Sequence, residues 1–337
     1  MKAWEIREFG IDALSPVERE TPAVGGSEVL VNVRAASLNY RDVMVVEGTY
    51  NPRMRLPAIP FSDCAGEVIE VGPDVTKWKV GDRVCSTVIP GWQEGEPTAE
   101  TVRTAIGAGR NDGILREYVA FDQDAVVGVP GHLSYEEAST LPCAALTAWN
   151  ALAVSGNVKS GDTVLTLGSG GVSIFALQLA KLMGARVIAT SSTPQKLERL
   201  KELGADEAIN YRDIADWDKQ VLELTGGRGV DHVVEVGGLG TLARSINAVR
   251  VAGHVALIGA LETSGEFNPI PVFMKAVRVQ GIFIGSRKMF EDMNKAIEAG
   301  GMRPVVDKVF AFSEVREALG HMKSGSHFGK IVVRFGE

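Results

Sequence analysis

The sequence predicts an α/β protein of two domains, one of which contains a doubly wound parallel sheet. The chain has 337 residues, a length that suggests about two domains, and its 45% hydrophobic and 23% charged residues are ordinary for a globular protein. From about residue 125 onward, short apolar strands alternate with helical segments, which is the pattern of a parallel sheet covered by helices. A glycine-rich turn joins one of these strands to the next helix.

Local signals support each element of this part. The predicted strands are Thr163–Leu167, Arg186–Thr190, Val230–Val236, His254–Ile258 and Gln280–Ile284. Residues 171–183 have a helical pattern, and Thr193 before Pro194 begins a further helix that Gly204 ends. Residues 305–335 are predicted to form a strand, a helix and a strand.

The first 125 residues are predicted to be β structure joined by turns, with strands at Val29–Val33 and Glu67–Gly72 and, at Lys79–Val84, a turn before another strand. Residues 89–113 differ because they hold five glycines and two prolines with little periodicity. We predict a long surface excursion there, and loops of such length in compact domains are often functional.

Composition excludes several classes of function. The 35 basic and 42 acidic residues give a net charge of −7 without any basic block, so neither nucleic acid nor a membrane surface is an expected partner. The N-terminus lacks the apolar segment of a secretory signal, and no apolar run nears the ~18 residues of a membrane span. Three cysteines build no disulfide framework. We therefore expect a soluble, cytoplasmic protein that acts on a small molecule.

The sharpest motif is the turn Gly168-Ser169-Gly170-Gly171-Val172-Ser173 between a predicted strand and helix. Gly168 permits a tight turn, and Gly170 removes a Cβ that would block a phosphate group from the helix N-terminus. A plain strand–helix turn is the alternative, but the strand–turn–helix–strand context favours a dinucleotide site. No Gly-Lys-Ser/Thr follows, so the turn is not that of a nucleotide hydrolase.

The end of the following strand indicates which dinucleotide binds. An NAD site usually has an acid here to hold the ribose, whereas this chain has Ser191 and Ser192 and no acid until Glu198. Lys196 lies in the first helical turn, where the helix dipole opposes a cation unless an anion is bound. These residues suit the 2′-phosphate of NADP. The alternatives are NAD, and a solvated Lys196 beside a simple helix cap.

Together these motifs resemble the medium-chain dehydrogenase/reductase superfamily over essentially the whole chain. The matching segments are Ser37–Asp42, Pro57–Pro60, Ala65–Val68, Val80–Val84, Leu141–Trp149, the glycine turn, Leu203–Asp206 and Gly329–Val333. The resemblance implies a GroES-like β domain formed by residues 1–125 and 302–337. It implies a Rossmann dinucleotide-binding domain, with a doubly wound parallel sheet, over residues 126–301.

Zinc-dependent members of this superfamily bind a catalytic metal through Cys, His and Cys or Asp. The corresponding positions of this chain are Asn39, Ser62 and Cys143, and only the last is a usual zinc ligand. No cysteine lies in 89–113, where those members bind a structural zinc. We therefore predict no metal ligand and no bound zinc.

The chain looks most like the zinc-free quinone oxidoreductase and enoyl reductase branch. That resemblance implies catalytic roles for Tyr50, as proton donor or substrate clamp, and for Asn39 with assistance from Ser62. It implies cofactor contacts for the following residues: Thr147, Gly168, Ser169, Gly170, Gly171, Val172, Ser191, Ser192, Lys196, Tyr211, Ile258, Gly259, Phe283, Ile284 and Gly285.

The predicted function is NADPH-dependent, zinc-independent reduction of quinones or α,β-unsaturated carbonyl compounds by hydride transfer. Two alternatives stay open: a zinc-dependent alcohol dehydrogenase that keeps Cys143, and an NADPH-binding protein without significant turnover. The resemblance also implies a homodimer that pairs through the strand near Val279–Ile284.

Overall fold

A computed structural model describes residues 1–108, 110–259, 261–262 and 265–336, and the chain divides into two units. Unit one consists of Met1–Leu146 and Gly285–Glu337, and unit two of Thr147–Ile284. One unit is thus built from both ends of the chain and the other from its middle. The domain limits at 125/126 and 301/302 were predicted from changes in the sequence pattern, whereas the two units are defined by which residues pack together. The predicted limits therefore stay a prediction.

Strands dominate the N-terminal part of unit one, with short helices between them. The strands are β1 (Lys2–Glu5), β2 (Ser15–Glu18), β3 (Glu28–Ser37), β4 (Asp63–Val71), β5 (Arg83–Ser86), β6 (Tyr118–Asp122) and β7 (Val126–Gly128). The helices are α1 (Tyr40–Val46), α2 (Ala99–Val102) and α3 (Tyr135–Ala138).

Strands and helices alternate in the middle of the chain, as the sequence pattern predicts. The strands are β8 (Thr163–Thr166), β9 (Arg186–Ser191), β10 (Glu207–Asn210), β11 (Val230–Glu235), β12 (Val249–Leu257) and β13 (Arg278–Gly281). The helices are α4 (Leu146–Trp149), α5 (Gly171–Leu182), α6 (Pro194–Glu202), α7 (Trp217–Leu224), α8 (Leu239–Ala248) and α9 (Ile270–Met274).

The C-terminal part returns to unit one and completes its main sheet. It consists of α10 (Arg287–Ala299), β14 (Val306–Ala311), α11 (Val315–Ser324) and β15 (Lys330–Arg334), which confirms the predicted strand, helix and strand. β15 pairs antiparallel with β3, in the order β14-β15-β3-β4-β5-β7, and β6 also pairs with β3. The last strand of the chain therefore lies beside one of the first.

The sheet of unit two is parallel throughout and has the order β10-β9-β8-β11-β12-β13. β8 comes first in sequence but lies inside the sheet, so the chain winds outward on one side through β9 and β10 and on the other from β11. The loops at the carboxyl ends of β8 and β11 diverge at this switch point, where such sheets bind their ligands. The predicted doubly wound sheet is confirmed.

Local side-chain chemistry sets the helix that follows β9. Thr193 has an extended backbone and its hydroxyl accepts a hydrogen bond from the Lys196 N–H, while Pro194 is the first helical residue. Gly204 follows the helix with a φ of +98°, a conformation that glycine adopts without strain. The predicted cap and stop are confirmed. No helix within the described residues is long and apolar enough to cross a membrane.

Two histidines are buried side by side in the sheet of unit two. His232 on β11 and His254 on β12 are direct neighbours in the strand register, with their Nδ1 atoms 3.5 Å apart. The His232 Nε2 lies 3.2 Å from Asp162, and the His254 Nε2 lies 3.3 Å from the Ser155 hydroxyl. Burial, with Arg278 and His232 nearby, lowers the pKa of His254 to about 3, and burial lowers the pKa of His232 as well.

This pair is expected to make the protein lose stability in acid. Because the folded-state pKa of His254 lies below the unfolded value of 6.5, the unfolded chain takes up the proton first. The part of the unfolding free energy that depends on neutral His254 is fully present above pH ~6.5. It falls as the pH is lowered toward ~3, by up to ~1.4 kcal/mol per pH unit. Urea unfolding of His254→Gln at pH 7 and pH 5 should show a smaller difference than wild type. The same substitution at His132, in unit one, should leave the difference unchanged.

Candidate functional site

The glycine turn of unit two is open on one side. Gly168, directly beyond β8, has a φ of +74°, and its N–H lies 3.2 Å from the Thr190 hydroxyl that accepts its hydrogen bond. A Cβ added to Gly168 or to Gly170 would meet no atom within 4 Å. These glycines therefore do not serve internal packing, and the space beside them is free for a ligand.

The other side of this turn is fixed by hydroxyl groups. The Ser173 hydroxyl donates a 2.6 Å hydrogen bond to the Leu167 carbonyl, and the Ser191 hydroxyl donates to that of Ser169 at 3.2 Å. Gly170 precedes α5 as its N-cap and has no side chain to satisfy the first helical N–H groups. A rigid turn with free N–H groups and the positive end of a helix dipole suits a pyrophosphate. Gly171 and Val172 form the first turn of this helix.

The predicted contacts to a 2′-phosphate lie at the ends of β9 and β10. The pairing of these strands sets Asn210 opposite Ser191, and the Tyr211 N–H donates to the Ser191 carbonyl at 3.0 Å. Ser191 is buried, Ser192 and Lys196 are half-buried, and the Tyr211 side chain is exposed. The structure thus brings Tyr211 beside the two serines.

Glu235, the last residue of β11, is a residue that the sequence analysis missed. It is fully buried, and its Oε1 accepts hydrogen bonds from the N–H groups of Gly237 and Gly238 and from the Thr241 hydroxyl. Its Oε2 accepts from the Ser245 hydroxyl. This carboxylate holds the turn on the far side of the switch point. An acid at a strand end, two positions before a pair of glycines, was the available signal.

The remaining predicted cofactor residues lie near the ends of other strands. Gly259 follows β12, and its Cβ would lie 1.9 Å from the Val236 carbonyl oxygen, so only glycine allows these two turns to meet. Ile284 has a φ of +52°, and its carbonyl accepts from the Asn150 amide at 2.8 Å. The other members of the set, with their positions, are as follows: Thr147 is buried in α4, Ile258 lies beside Gly259, Phe283 is partly exposed, and Gly285 packs against Leu146 in unit one.

Asn39, in unit one, lies at the beginning of α1 within a buried charged network. Its Oδ1 accepts a 2.6 Å hydrogen bond from the Lys330 ammonium, and its own N–H donates to Asp42 at 2.7 Å. Its Nδ2 is inaccessible and has no partner with good hydrogen-bond geometry, although it is near enough to Asp63 to lower that carboxyl's pKa. Asp42 is fully buried and caps the helix.

Ser62 and Cys143 both donate hydrogen bonds to the Asp63 carboxylate. The Ser62 hydroxyl donates to one carboxylate oxygen of Asp63 at 2.7 Å, and the Cys143 N–H donates to the other at 3.0 Å. Burial raises the pKa of Asp63, that of Asp42 to about 7 and that of the Cys143 thiol to about 12, the last also because Asp63 is near. The thiol is therefore neutral at physiological pH.

These residues do not fit a catalytic zinc. The usual catalytic zinc site has three nitrogen, sulfur or carboxylate ligands, and Cys143 supplies only one of them. Asn39 and Ser62 offer instead an amide bonded to an ammonium and a hydroxyl bonded to a carboxylate. Within the described residues, no group of three His, Cys, Asp or Glu side chains could hold a metal.

Tyr50 stands apart from this network. Its side chain is exposed, and the Arg41 guanidinium carbon lies 5.4 Å from its ring centre. Arg41 also donates a 2.6 Å hydrogen bond to the Ile106 carbonyl. In the described part of the chain, no hydrogen bond to the Tyr50 hydroxyl is found. Arg41 thus contacts both Tyr50, the predicted proton donor, and Ile106 in the 89–113 excursion.

The 89–113 excursion is held to the segment that carries Ser62. The N–H of Gly113 donates to the Ile59 carbonyl at 2.7 Å, and a Cβ on Gly107 or Gly113 would collide with the Phe61 carbonyl oxygen. Ile106 is buried, so the excursion is more than a surface loop; Gly109 lies outside the described residues. It also lines a cavity of about 680 Å³ within unit one.

Comparisons with known proteins agree with this fold. The family described as alcohol dehydrogenase GroES-like domain matches residues 25–131, and that described as zinc-binding dehydrogenase matches residues 171–299. A zinc-type alcohol dehydrogenase-like protein of Schizosaccharomyces pombe is 42% identical over 96% of both chains. A 2-methylene-furan-3-one reductase of Solanum lycopersicum is 31% identical (99% of this chain, 79% of the other), and Homo sapiens quinone oxidoreductase is 28% identical (97% and 95%).

Solved structures show the same relationship. An NAD-dependent alcohol dehydrogenase is 34% identical with a TM-score of 0.91 over 100% of both chains. A mycobacterial protein complexed with NADPH is 27% identical with a TM-score of 0.82, over 99% of this chain and 100% of that one. The fold and the open turn define an oxidoreductase with a nicotinamide cofactor site. The chain belongs to the medium-chain dehydrogenase/reductase superfamily, as the motifs predict.

Proposed function

We propose that the protein is an NADPH-dependent, zinc-independent oxidoreductase that reduces quinones or α,β-unsaturated carbonyl compounds by hydride transfer. The observation that carries this proposal is the open glycine turn at the switch point of unit two, which offers N–H groups to a pyrophosphate and keeps side chains away from it. Relatives named as a quinone oxidoreductase and a furanone reductase support the acceptor class.

The chain's own contribution is to bind both reactants and to stabilise charge. A bound nicotinamide supplies the hydride. The reduced acceptor carries negative charge on its oxygen, which a hydrogen-bond donor stabilises. We assign this role to Tyr50, whose hydroxyl is exposed. Asn39 is hydrogen-bonded to Lys330 and Ser62 to Asp63, so we assign these two residues a positioning role and no direct contact with the acceptor.

Zinc independence rests on the donor set in unit one. The ammonium beside Asn39 opposes a divalent cation there, and Asn39 and Ser62 offer an amide and a hydroxyl that are already hydrogen-bonded. The name of the Schizosaccharomyces pombe relative favours the alternative of a zinc-dependent alcohol dehydrogenase. The third candidate, an NADPH-binding protein without turnover, needs only the open turn.

The test is an NADPH-oxidation screen over quinones, enones and aldehydes, with the metal content of the same sample measured. We expect turnover with quinones or enones, unchanged after treatment with a chelator. One zinc per chain with alcohol oxidation would establish the zinc-dependent alternative. Cofactor binding without oxidation across the panel would establish the binding-protein alternative.

Tyr50→Phe is expected to lower kcat by about 100-fold, the usual contribution of a positioned proton donor, with little change in KM for NADPH. Tyr40→Phe is the matched control because Tyr40 is a similarly exposed tyrosine at the start of α1. Steady-state kinetics with the best acceptor measures both. Full turnover of Tyr50→Phe would show that this residue is only a pocket wall.

The NADPH preference is proposed to depend on Lys196 and Tyr211. Lys196→Ala is expected to raise KM for NADPH roughly tenfold, about 1.4 kcal/mol, and to leave KM for NADH unchanged, because only NADPH carries the 2′-phosphate. Lys201→Ala, on the same helix, serves as the control. Equal or better use of NADH by wild type would contradict NADP as the cofactor.

A homodimer and a cytoplasmic location belong to the same proposal. β13 is an edge strand with β12 as its sheet neighbour, and exposed Val251, Phe273 and Met274 lie on the segments next to it. A second copy would cover this edge. Light scattering should give the mass of a dimer, and Phe273→Asp should shift it toward the monomer. The three cysteines are free thiols, as suits a reducing compartment.

A further inference from the structure

Lys330 is one of the most buried charged side chains in unit one. It begins β15, is 2% exposed, and its Nζ donates hydrogen bonds to the Leu38 carbonyl at 2.5 Å and to Asn39 Oδ1 at 2.6 Å. A lysine with this burial is rare unless its charge is compensated, because an unpaired ammonium pays a large desolvation cost.

The compensating charges are two buried carboxylates. Asp63 and Asp42 are both fully buried, and both interact electrostatically with Lys330. Burial lowers the pKa of Lys330, and of the charges that raise it again Asp63 has the largest effect. Within the described residues, neither carboxylate forms a direct ion pair with Lys330, so the charges interact at longer range.

Asn39 is fixed between these charges in one orientation. An ammonium can only donate, so the atom of Asn39 that faces Lys330 must be the carbonyl oxygen. The Nδ2 group then points away from Lys330 and lies near Asp63. Asn39 therefore accepts from the ammonium with its carbonyl oxygen and turns its NH2 group toward the side of Asp63, although that group has no partner with good hydrogen-bond geometry.

We propose that Lys330 is the built-in cation of this site: its ammonium compensates the charge of Asp63, fixes the orientation of Asn39, and excludes a divalent metal from these residues. Lys330 is therefore a positioning residue. The proposal explains why Asn39, Ser62 and Cys143 of this chain do not fit zinc, although a similar protein is named as a zinc-type alcohol dehydrogenase-like protein. It rests on the zinc-independent form of the proposed function, and its tests require no turnover.

Lys275 shows how a lysine looks when it only caps backbone groups. Its Nζ donates to the carbonyls of Ile246, Asn247 and Val249 near the end of α8, and burial lowers its pKa. No carboxylate is among the groups that shift this pKa. Lys275 lies in unit two and is a matched control for Lys330.

The first test is a double-mutant cycle on the unfolding equilibrium with Lys330→Met and Asp63→Asn. We expect Lys330→Met alone to raise the unfolding constant by on the order of 100-fold or more, because it leaves a buried carboxylate uncompensated. Adding Asp63→Asn should recover most of this loss, since the carboxylate that depends most on the Lys330 ammonium is then replaced by a neutral amide. The effects of Lys275→Met and Asp63→Asn should simply add. Additivity of the Lys330 pair would overturn the proposal.

The second test uses the wild-type protein and so does not depend on the folding of any variant. Titration with Co²⁺, a spectroscopic substitute for zinc, should give no thiolate-to-cobalt absorption band, because the ammonium opposes a divalent cation and the described residues hold no group of three usual ligands. A stoichiometric band that Cys143→Ala removes would overturn the proposal. If the protein reduces quinones but the effects of Lys330→Met and Asp63→Asn on unfolding are additive, the proposed function holds and the proposed role of Lys330 is wrong.

Discussion

Gly170→Val is expected to weaken NADPH binding strongly while the protein stays folded. The backbone of Gly170 has φ −77° and ψ 177°, an extended conformation that valine adopts readily, and its Cβ would point into open space. The added methyl groups would occupy the place of the pyrophosphate. Overpacking of this kind costs up to ~3 kcal/mol, which corresponds to a Kd raised on the order of 100-fold.

Gly320→Ala is the matched control for this substitution. Gly320 lies within α11, and its Cβ would also meet no atom within 4 Å. Alanine there should leave the Kd unchanged and stabilise the helix slightly. Fluorescence titration with NADPH and thermal unfolding measure the two effects separately. Unchanged affinity in Gly170→Val would show that the open space beside the turn is not the cofactor site.

Glu235→Leu is expected to destabilise the protein by about 3–5 kcal/mol. Leucine of similar volume leaves the N–H groups of Gly237 and Gly238 and the buried Ser245 hydroxyl without their acceptor. Glu235→Gln should recover most of this loss, because its oxygen can replace Oε1 and the Ser245 hydroxyl can turn to accept from its amide. Glu198→Leu, on the exposed face of α6, is the control.

Urea unfolding at pH 7 measures these differences. A cost below ~1 kcal/mol for Glu235→Leu would show that water replaces the carboxylate as the acceptor in the turn. A Glu235→Gln protein as unstable as Glu235→Leu would show that the charge, and not the hydrogen-bond acceptor, holds the turn.

The parallel sheet and its helices could be predicted from the sequence because their signals are local. Thr193, Pro194 and Gly204 mark the ends of α6 within a dozen residues, and the apolar stretches mark buried strands. The open glycine turn follows from the same local pattern. The Glu235 turn was equally local, but a strand-end acid has several uses and the pattern alone does not choose among them.

The network in unit one could not be predicted, since its partners are far apart in the chain. Lys330 and Asn39 are separated by 291 positions, and Asp63 and Cys143 by 80. Sequence periodicity reports which face of an element is buried, not which distant polar group it meets. The same limit applies to the excursion, where contacts of Gly107 and Gly113 with the Phe61 carbonyl bury residues that composition alone assigns to the surface.

The pairing of β15 with β3 has a consequence for the order in which the protein is made. Unit two is one continuous segment, so all its strands are available once residue 284 has been synthesised. Unit one must wait for the last strand, and until then the Ala35–Ser37 end of β3, beyond its pairing with β6, has an unpaired edge that β15 later covers. The strand that closes the sheet also brings the Lys330 ammonium to Asp63. A ribosome-bound chain that ends before residue 330 should therefore have a dinucleotide site but, in the other unit, an open end of β3 and an Asp63 without its compensating ammonium.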